Sequence, residues 1–178
     1  MTQDSARSKF EPLPREMSRQ EFVTRFGGIY EHSPWIAEAA YERGLTASED
    51  TPEGLAQAMA EVLAGADVDA KLALIRAHPD LAGRAAVAGD LTVASKSEQA
   101  GAGLDRCTPD EYRRFQELNE AYKRKFGFPF ILAVAGKTRH DLLAGFEARI
   151  GNDRETELAT ALAEIAKIAR LRLHAMAL

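Results

Sequence analysis

The chain has 178 residues, 46% of them hydrophobic and 28% charged, enough for one globular domain with a real core. Its 23 basic and 27 acidic residues leave a net charge of −4, so no basic face stands ready for nucleic acid. The longest apolar run, residues 128–135, is far shorter than the ~20 residues a bilayer requires, and one cysteine suits a reducing cytoplasm rather than a disulfide framework.

In chain order, residues 1–17 carry charges and prolines without an apolar signal core and read as a loose arm preceding a domain over 18–178. Ser18 with Glu21 is the pattern of a capping box, opening a helix to about Tyr30 with Phe22, Phe26 and Ile29 on one face. Ser33-Pro34 supplies a cap and first-turn proline before Trp35, and Gly44 follows the last turn. Thr51-Pro52-Glu53 repeats the start signal for a helix reaching Gly65. Asp67 caps the next, whose stripe is Val68, Leu72 and Ile75.

Three residues beyond that stripe lies His78, where Pro79 disfavours helical geometry and ends the helix. Residues 81–87 suggest a short helical segment and Gly89-Asp90 a turn; Ser95 with Glu98 suggests another capping box. Thr108-Pro109 opens a long helix through Tyr112, Phe115, Leu118 and Tyr122 that ends near Gly127. Residues 128–134 are apolar without helical period, and periodicity does not decide between an extended segment and a buried helix. Thr138 caps a helix through Leu142, Leu143 and Phe146, and Asn152 with Glu155 opens the last, to about Met176. Strand alternation is absent, so the expected fold is all-α, about eight helices with short connections.

Arg172 is the residue that periodicity marks most clearly. The final stripe runs Leu158, Ala161, Leu162, Ile165, Ile168, Ala169, and its next position is 172. A charge continuing a core stripe needs an anion or several acceptors; the alternative is a helix-end arginine reaching water or an internal carboxylate. His78 has two readings as well: a cap on the last free carbonyls, or an imidazole for proton transfer near neutral pH. Glu98 can be the partner of that imidazole or merely the second half of a cap. Free N–H groups at its helix start, at Ser95, Lys96 and Ser97, can also cradle a small acidic ligand. His32, His140, His174 and Cys107 show no metal-ligand spacing, so no metal site is expected.

Four blocks, HPDLAG at 78–83, SKSEQAGAGL at 95–104, FGFPFILAV at 126–134 and GNDRETELATALAEIAKIARLRL at 151–173, resemble the signatures of the 2-oxo-4-hydroxy-4-carboxy-5-ureidoimidazoline (OHCU) decarboxylase family. They stand in the family's order, and the similarity extends over about residues 18–176. The resemblance implies an all-α homodimer without metal or organic cofactor, acting on a small ureidoimidazoline in urate degradation and releasing (S)-allantoin. Carried over by motif, His78 is the proton donor, with Glu98 and Arg172 completing the catalytic set. Pro79, Ser95, Lys96, Ser97, Glu98, Gln99, Phe130, Ile131, Leu132, Ala133 and Val134 would bind substrate. A hydrolase of a related ureide and a non-enzymatic helical interaction module are the competing readings.

Overall fold

A computed structural model describes residues 8–83 and 90–177. Among them are eight α-helices and no strand: α1 Arg19–Phe26, α2 Trp35–Glu42, α3 Pro52–Ala64, α4 Val68–Ala77, α5 Val93–Gly101, α6 Pro109–Phe126, α7 Arg139–Arg149 and α8 Arg154–Met176, with 3-10 turns at Pro14–Glu16 and Leu104–Arg106. The all-α expectation is met. The expected helical segment at 81–87 and the turn at Gly89 fall largely or wholly on residues 84–89, outside the described residues. The chain divides into two compact units, residues 1–74 with 166–178, and residues 75–165.

Local start signals set most helix beginnings. The boxes at Ser18/Glu21 and Thr108/Glu111 form as reciprocal side-chain to backbone bonds, and Thr138/Asp141 forms a third. Thr51 caps α3 by accepting from the Gly54 N–H. Three starts differ from expectation. Ser33 does not cap α2; its hydroxyl donates to the Glu31 carbonyl instead. The cap of α5 is Thr92, whose hydroxyl accepts from the Ser95 N–H, so Ser95 and Glu98 lie inside the helix. Asp153 accepts from the Thr156 N–H at the head of α8, and Asn152 is freed to bond Glu157. Each shift is one to three residues; at α5 and α8 neighbouring Ser, Thr, Asp and Asn compete for the same orphan N–H groups, whereas the cap position of α2 is Pro34, with no side-chain cap bond.

The first unit is built on Phe10, Met17, Phe22, Phe26, Ile36, Leu55 and Met59, all buried. Of the loose arm expected over 1–17, residues 1–7 lie outside the described residues, and residues 8–17 are packed here through Phe10, Pro14 and Met17. Phe10 is 1% exposed, its ring packs edge-on to Phe26 at 5.0 Å, and its N–H donates to the Asp50 carbonyl at 2.9 Å. Replacing Phe10 by alanine is expected to cost about 3 kcal/mol. The urea midpoint measures it, and a midpoint unchanged from wild type would return these residues to the status of an arm.

In the second unit, α6 presents Phe115, Leu118, Tyr122 and Phe126 to a core completed by Phe128, Phe130, Leu142 and Phe146. Gly127 stops α6 in the left-handed region (φ +79°), which only glycine enters without cost. Residues 128–134 then run without helix, answering the question periodicity left open. Their backbone is held by side chains rather than by a ladder. Arg149 donates to the Ile131 carbonyl at 2.7 Å, and Glu164 accepts from the Ala133 N–H at 2.7 Å. Phe130 stacks on Phe146 with centroids 3.8 Å apart.

Candidate active site

His78 follows the last residue of α4, its N–H closing a turn on the Ile75 carbonyl at 3.2 Å, and it is 9% exposed. Pro79 is half-buried. The turn continues through Asp80, Leu81 and Ala82, where Ala82 adopts φ +49°. Gly83 lies so near Asp80 that an added Cβ would stand 2.6 Å from the Asp80 Cβ, which excludes any larger residue without movement.

This turn is tied directly to the helix that carries Glu98. Gln99 is buried; its Oε1 accepts from the Ala82 N–H at 3.1 Å and its Nε2 donates to the Asp80 carbonyl at 3.3 Å. One amide thus reads both sides of a peptide stretch, and the residues two and four places after His78 are held against the residue next to Glu98. Ser95 is buried on the same helix, Glu98 is half-buried, and Lys96 and Ser97 are exposed. The anion cradle expected at Ser95–Ser97 does not stand at the helix start: the Ser95 N–H is taken by the Thr92 hydroxyl and the Lys96 N–H by the Thr92 carbonyl.

A cleft of about 410 Å³ is lined by Arg76, His78, Asp80, Lys123, Gly127, Phe128 and Pro129. Its walls are charged. Lys123 donates to Asp80 at 2.8 Å, and Arg76 donates to the Gly127 carbonyl at 3.1 Å. Burial alone would lower the Lys123 pKa, but its bonds to Asp80 and Glu120 hold it above the ordinary lysine value. Of the residues that sequence singles out, His78 lines this cleft; Glu98, Gln99 and Phe130–Val134 do not. Phe130, Ile131, Ala133 and Val134 are buried, and Leu132 is partly so.

Arg172 belongs to the first unit. Its side chain is 9% exposed; one guanidinium nitrogen donates to the Ile29 carbonyl at 3.1 Å and to the Glu31 carboxylate at 3.2 Å. Glu31 is itself 3% exposed. The stripe argument is correct that Arg172 is withdrawn from solvent, and Glu31 is a partner that sequence reasoning missed. It sits in the irregular link after α1, where no period marks it.

A second buried ionic group carries no obvious mark in the sequence. Glu157 accepts from Tyr122, from Arg149 at 2.8 Å and from Asn152 at 2.8 Å. Burial alone would raise its pKa, but these donors together hold it below the ordinary glutamate value. Burial, then the bond to Glu157, pushes the Tyr122 hydroxyl well above the usual phenol range. The Arg149 guanidinium also lies 4.4 Å from the centroid of Phe130. A weak signal for Glu157 lies in the spacing: the apolar residues Ala161, Ile165, Ala169 and Leu173 extrapolate backwards in steps of four to 157.

Cys107 is half-buried, and burial raises its thiol pKa, the reverse of what a nucleophile needs. Among the described residues no group of three or more His, Cys, Asp or Glu side chains is placed to hold a metal ion, and no helix is long and apolar enough to cross a membrane.

Comparison with known proteins agrees with the motif blocks. A relative from Halalkalicoccus jeotgali, named 2-oxo-4-hydroxy-4-carboxy-5-ureidoimidazoline decarboxylase, is 42% identical over 159 residues, 89% of this chain and 86% of that protein. A crystal structure of (S)-allantoin synthase superposes with TM-score 0.73 at 35% identity, covering 92% of this chain and 52% of that one. A crystal structure of OHCU decarboxylase in the presence of (S)-allantoin gives TM-score 0.64 at 26% identity, over 80% of this chain and 89% of that one. The sequence profile of OHCU decarboxylase matches residues 15–174, and with that span and those identities the chain belongs to the OHCU decarboxylase family.

Proposed function

We propose that the chain is a carboxy-lyase that converts OHCU to (S)-allantoin in urate degradation, without metal or organic cofactor. The observation that carries the reading is family membership over residues 15–174, together with a structural relative solved in the presence of (S)-allantoin. The chemistry needs little from the protein. The substrate carboxylate is attached next to a ring C=N bond; as the C–CO2 bond breaks, its electron pair forms a C=C bond to the imine carbon while the C=N electrons move onto nitrogen. A proton then reaches that former C=N carbon from one face as the hydroxyl-bearing carbon gives up its O–H proton and becomes a carbonyl. What remains is to orient that bond against the π system, to stabilise the developing charge and to choose the face.

His78 is assigned the proton transfer, Glu98 orients the imidazole and accepts from ureido or hydroxyl hydrogens, and Arg172 holds an anionic or carbonyl oxygen. Pro79, Ser95–Gln99 and Phe130–Val134 are assigned to substrate binding. Support for His78 comes from its placement on a cleft at the end of α4, in a turn braced by Gln99. Support for Arg172 comes from its burial beside the Glu31 carboxylate, which holds one guanidinium nitrogen. The domain expected over residues 18–178, with residues 8–17 packed against it through Phe10 and Met17, acts as a homodimer in the cytoplasm, and light scattering checks the assembly.

Freshly generated OHCU decays spontaneously, so rate alone is a weak test. The enzyme should release CO2 and give (S)-allantoin in optical excess over buffer. Ammonia release or ring opening would instead favour a ureide hydrolase, and racemic product at the buffer rate would leave an interaction module. Arg172→Lys keeps the charge but loses the planar fork, in which one nitrogen bonds Ile29 and Glu31 while the other nitrogens point elsewhere; a single ammonium cannot present donors at separate positions in that way. Turnover should fall at least tenfold with a modest change in melting temperature. Full activity in this variant would make Arg172 purely structural.

A further inference from the structure

One face of α6 meets the His78 turn with an ordered set of donors. Gln116 Nε2 donates to the Ala82 carbonyl at 2.7 Å, Asn119 Nδ2 to the Leu81 carbonyl at 2.9 Å, and Lys123 Nζ to the Asp80 carboxylate at 2.8 Å. Positions 116, 119 and 123 are successive members of one helical stripe, and they contact residues 82, 81 and 80 in descending order. The turn is therefore laid antiparallel along α6 in a single register. We infer that Gln116, Asn119 and Lys123 are positioning residues for catalysis, a donor ladder that sets where His78 presents its imidazole.

Three observations support a role beyond stability. Asn119 is 1% exposed and stands among Phe115, Leu118 and Tyr122, where an apolar residue would continue the core; its Nδ2 is spent on a carbonyl of the turn. Ala82 is held at positive φ, a conformation that an alanine keeps only when its surroundings over-determine it. The Ala82 peptide is bonded on both sides, its N–H by Gln99 and its carbonyl by Gln116. Backbone in an irregular turn normally looks to water for these bonds; here each is taken by a side chain on a rigid helix. A catalytic group needs that kind of support, since a displacement of about 1 Å can cost on the order of 10²-fold in rate.

The inference rests on the assignment of His78 to proton transfer, and the experiment separates the two. Gln116→Met and Asn119→Leu delete the donors at nearly constant volume, and Lys123→Met is compared with Lys123→Arg, which can keep the bond to Asp80. Each is measured for melting temperature, kcat and KM on OHCU, product handedness, and the imidazole NMR resonance of His78, identified by its loss in His78→Asn. The ladder predicts a shifted or broadened His78 resonance, kcat lowered about 10²-fold in Asn119→Leu, KM little changed, and substantial recovery in Lys123→Arg relative to Lys123→Met. Gln116 is only partly buried, so its variant should fold even if Asn119→Leu does not. Folded variants with an unmoved resonance and wild-type kcat would overturn the ladder, as would a loss confined to melting temperature. Full activity in His78→Asn would instead overturn the assignment of His78, and the resonance alone would then decide the ladder.

Discussion

Replacing His78 by asparagine is expected to lower the decarboxylation rate by about 10²–10⁴-fold, the usual contribution of a positioned acid–base group. Asparagine keeps a polar side chain at the end of α4 and leaves the backbone bond from residue 78 to the Ile75 carbonyl untouched, so the fold should persist. Glu98→Gln should cost nearly as much in rate. Because Thr92 caps α5, Glu98 is an interior helix residue, and the glutamine variant should not unravel the helix start. A drop in rate then reports chemistry rather than a lost cap. If the two residues form one proton-handling unit, the double variant should be barely worse than either single one, because contributions of that kind do not add. The optical excess of the residual product should fall in all three. Rates that multiply independently would separate the pair, and wild-type rate with wild-type handedness in folded variants would remove both from the mechanism.

The second large effect concerns stability and lies at Glu157. Glu157→Gln keeps the volume but strips the charge from a carboxylate that is 0% exposed and bonded by Arg149, Tyr122 and Asn152. Arg149, its side chain 13% exposed, would then face a neutral amide, the Ile131 carbonyl and the ring of Phe130 with no counter-charge. Breaking one side of a buried ion pair costs about 3–5 kcal/mol. The effect has a pH signature. The Glu157 pKa is lowered in the folded protein, so the unfolded chain takes up its proton first as pH falls. The stabilisation is complete above the ordinary glutamate pKa of about 4.3 and is lost as pH drops through the lowered folded value. Urea melts from pH 7 to pH 3 should therefore show wild type losing its advantage over Glu157→Gln at the acid end. A difference below about 1 kcal/mol at pH 7 would show the pair to be offset by its own desolvation. Because Arg149 also holds the Ile131 carbonyl, folded Glu157→Gln should bind substrate more weakly if residues 130–134 line the pocket as proposed.

Helix type, helix number and most helix starts are legible in the amino-acid sequence, since they depend on local chemistry. Ser18, Thr51, Thr108 and Thr138 cap the helices they open, and Gly127 ends α6, because orphan N–H and C=O groups are satisfied within a few residues. Where several capping residues lie together, as at Thr92 to Ser95 or Asn152 to Asp153, the choice among them turns on packing, and the expected caps stand one to three positions from the observed ones. The burial of Arg172 follows from stripe arithmetic, and the family's motif blocks are visible as strings.

Partners are another matter. Glu31 meets Arg172 across 141 positions, Asn119 meets Leu81 across 38, and Tyr122 meets Glu157 across 35. Nothing periodic links such residues, and a polar side chain on an apolar stripe shows only that some partner is required. The 128–134 segment carries too little period to be read either way, and it runs without helix because Arg149 and Glu164 satisfy its backbone from α7 and α8. Residues 8–17 look like a solvated tail by composition, yet Phe10 and Met17 enter the core of the first unit and Tyr41 donates to the Met17 carbonyl. Local hydrogen-bonding demand is written in short stretches of chain; the pairing of buried charges, and the donors that hold the His78 turn, exist only once distant helices pack.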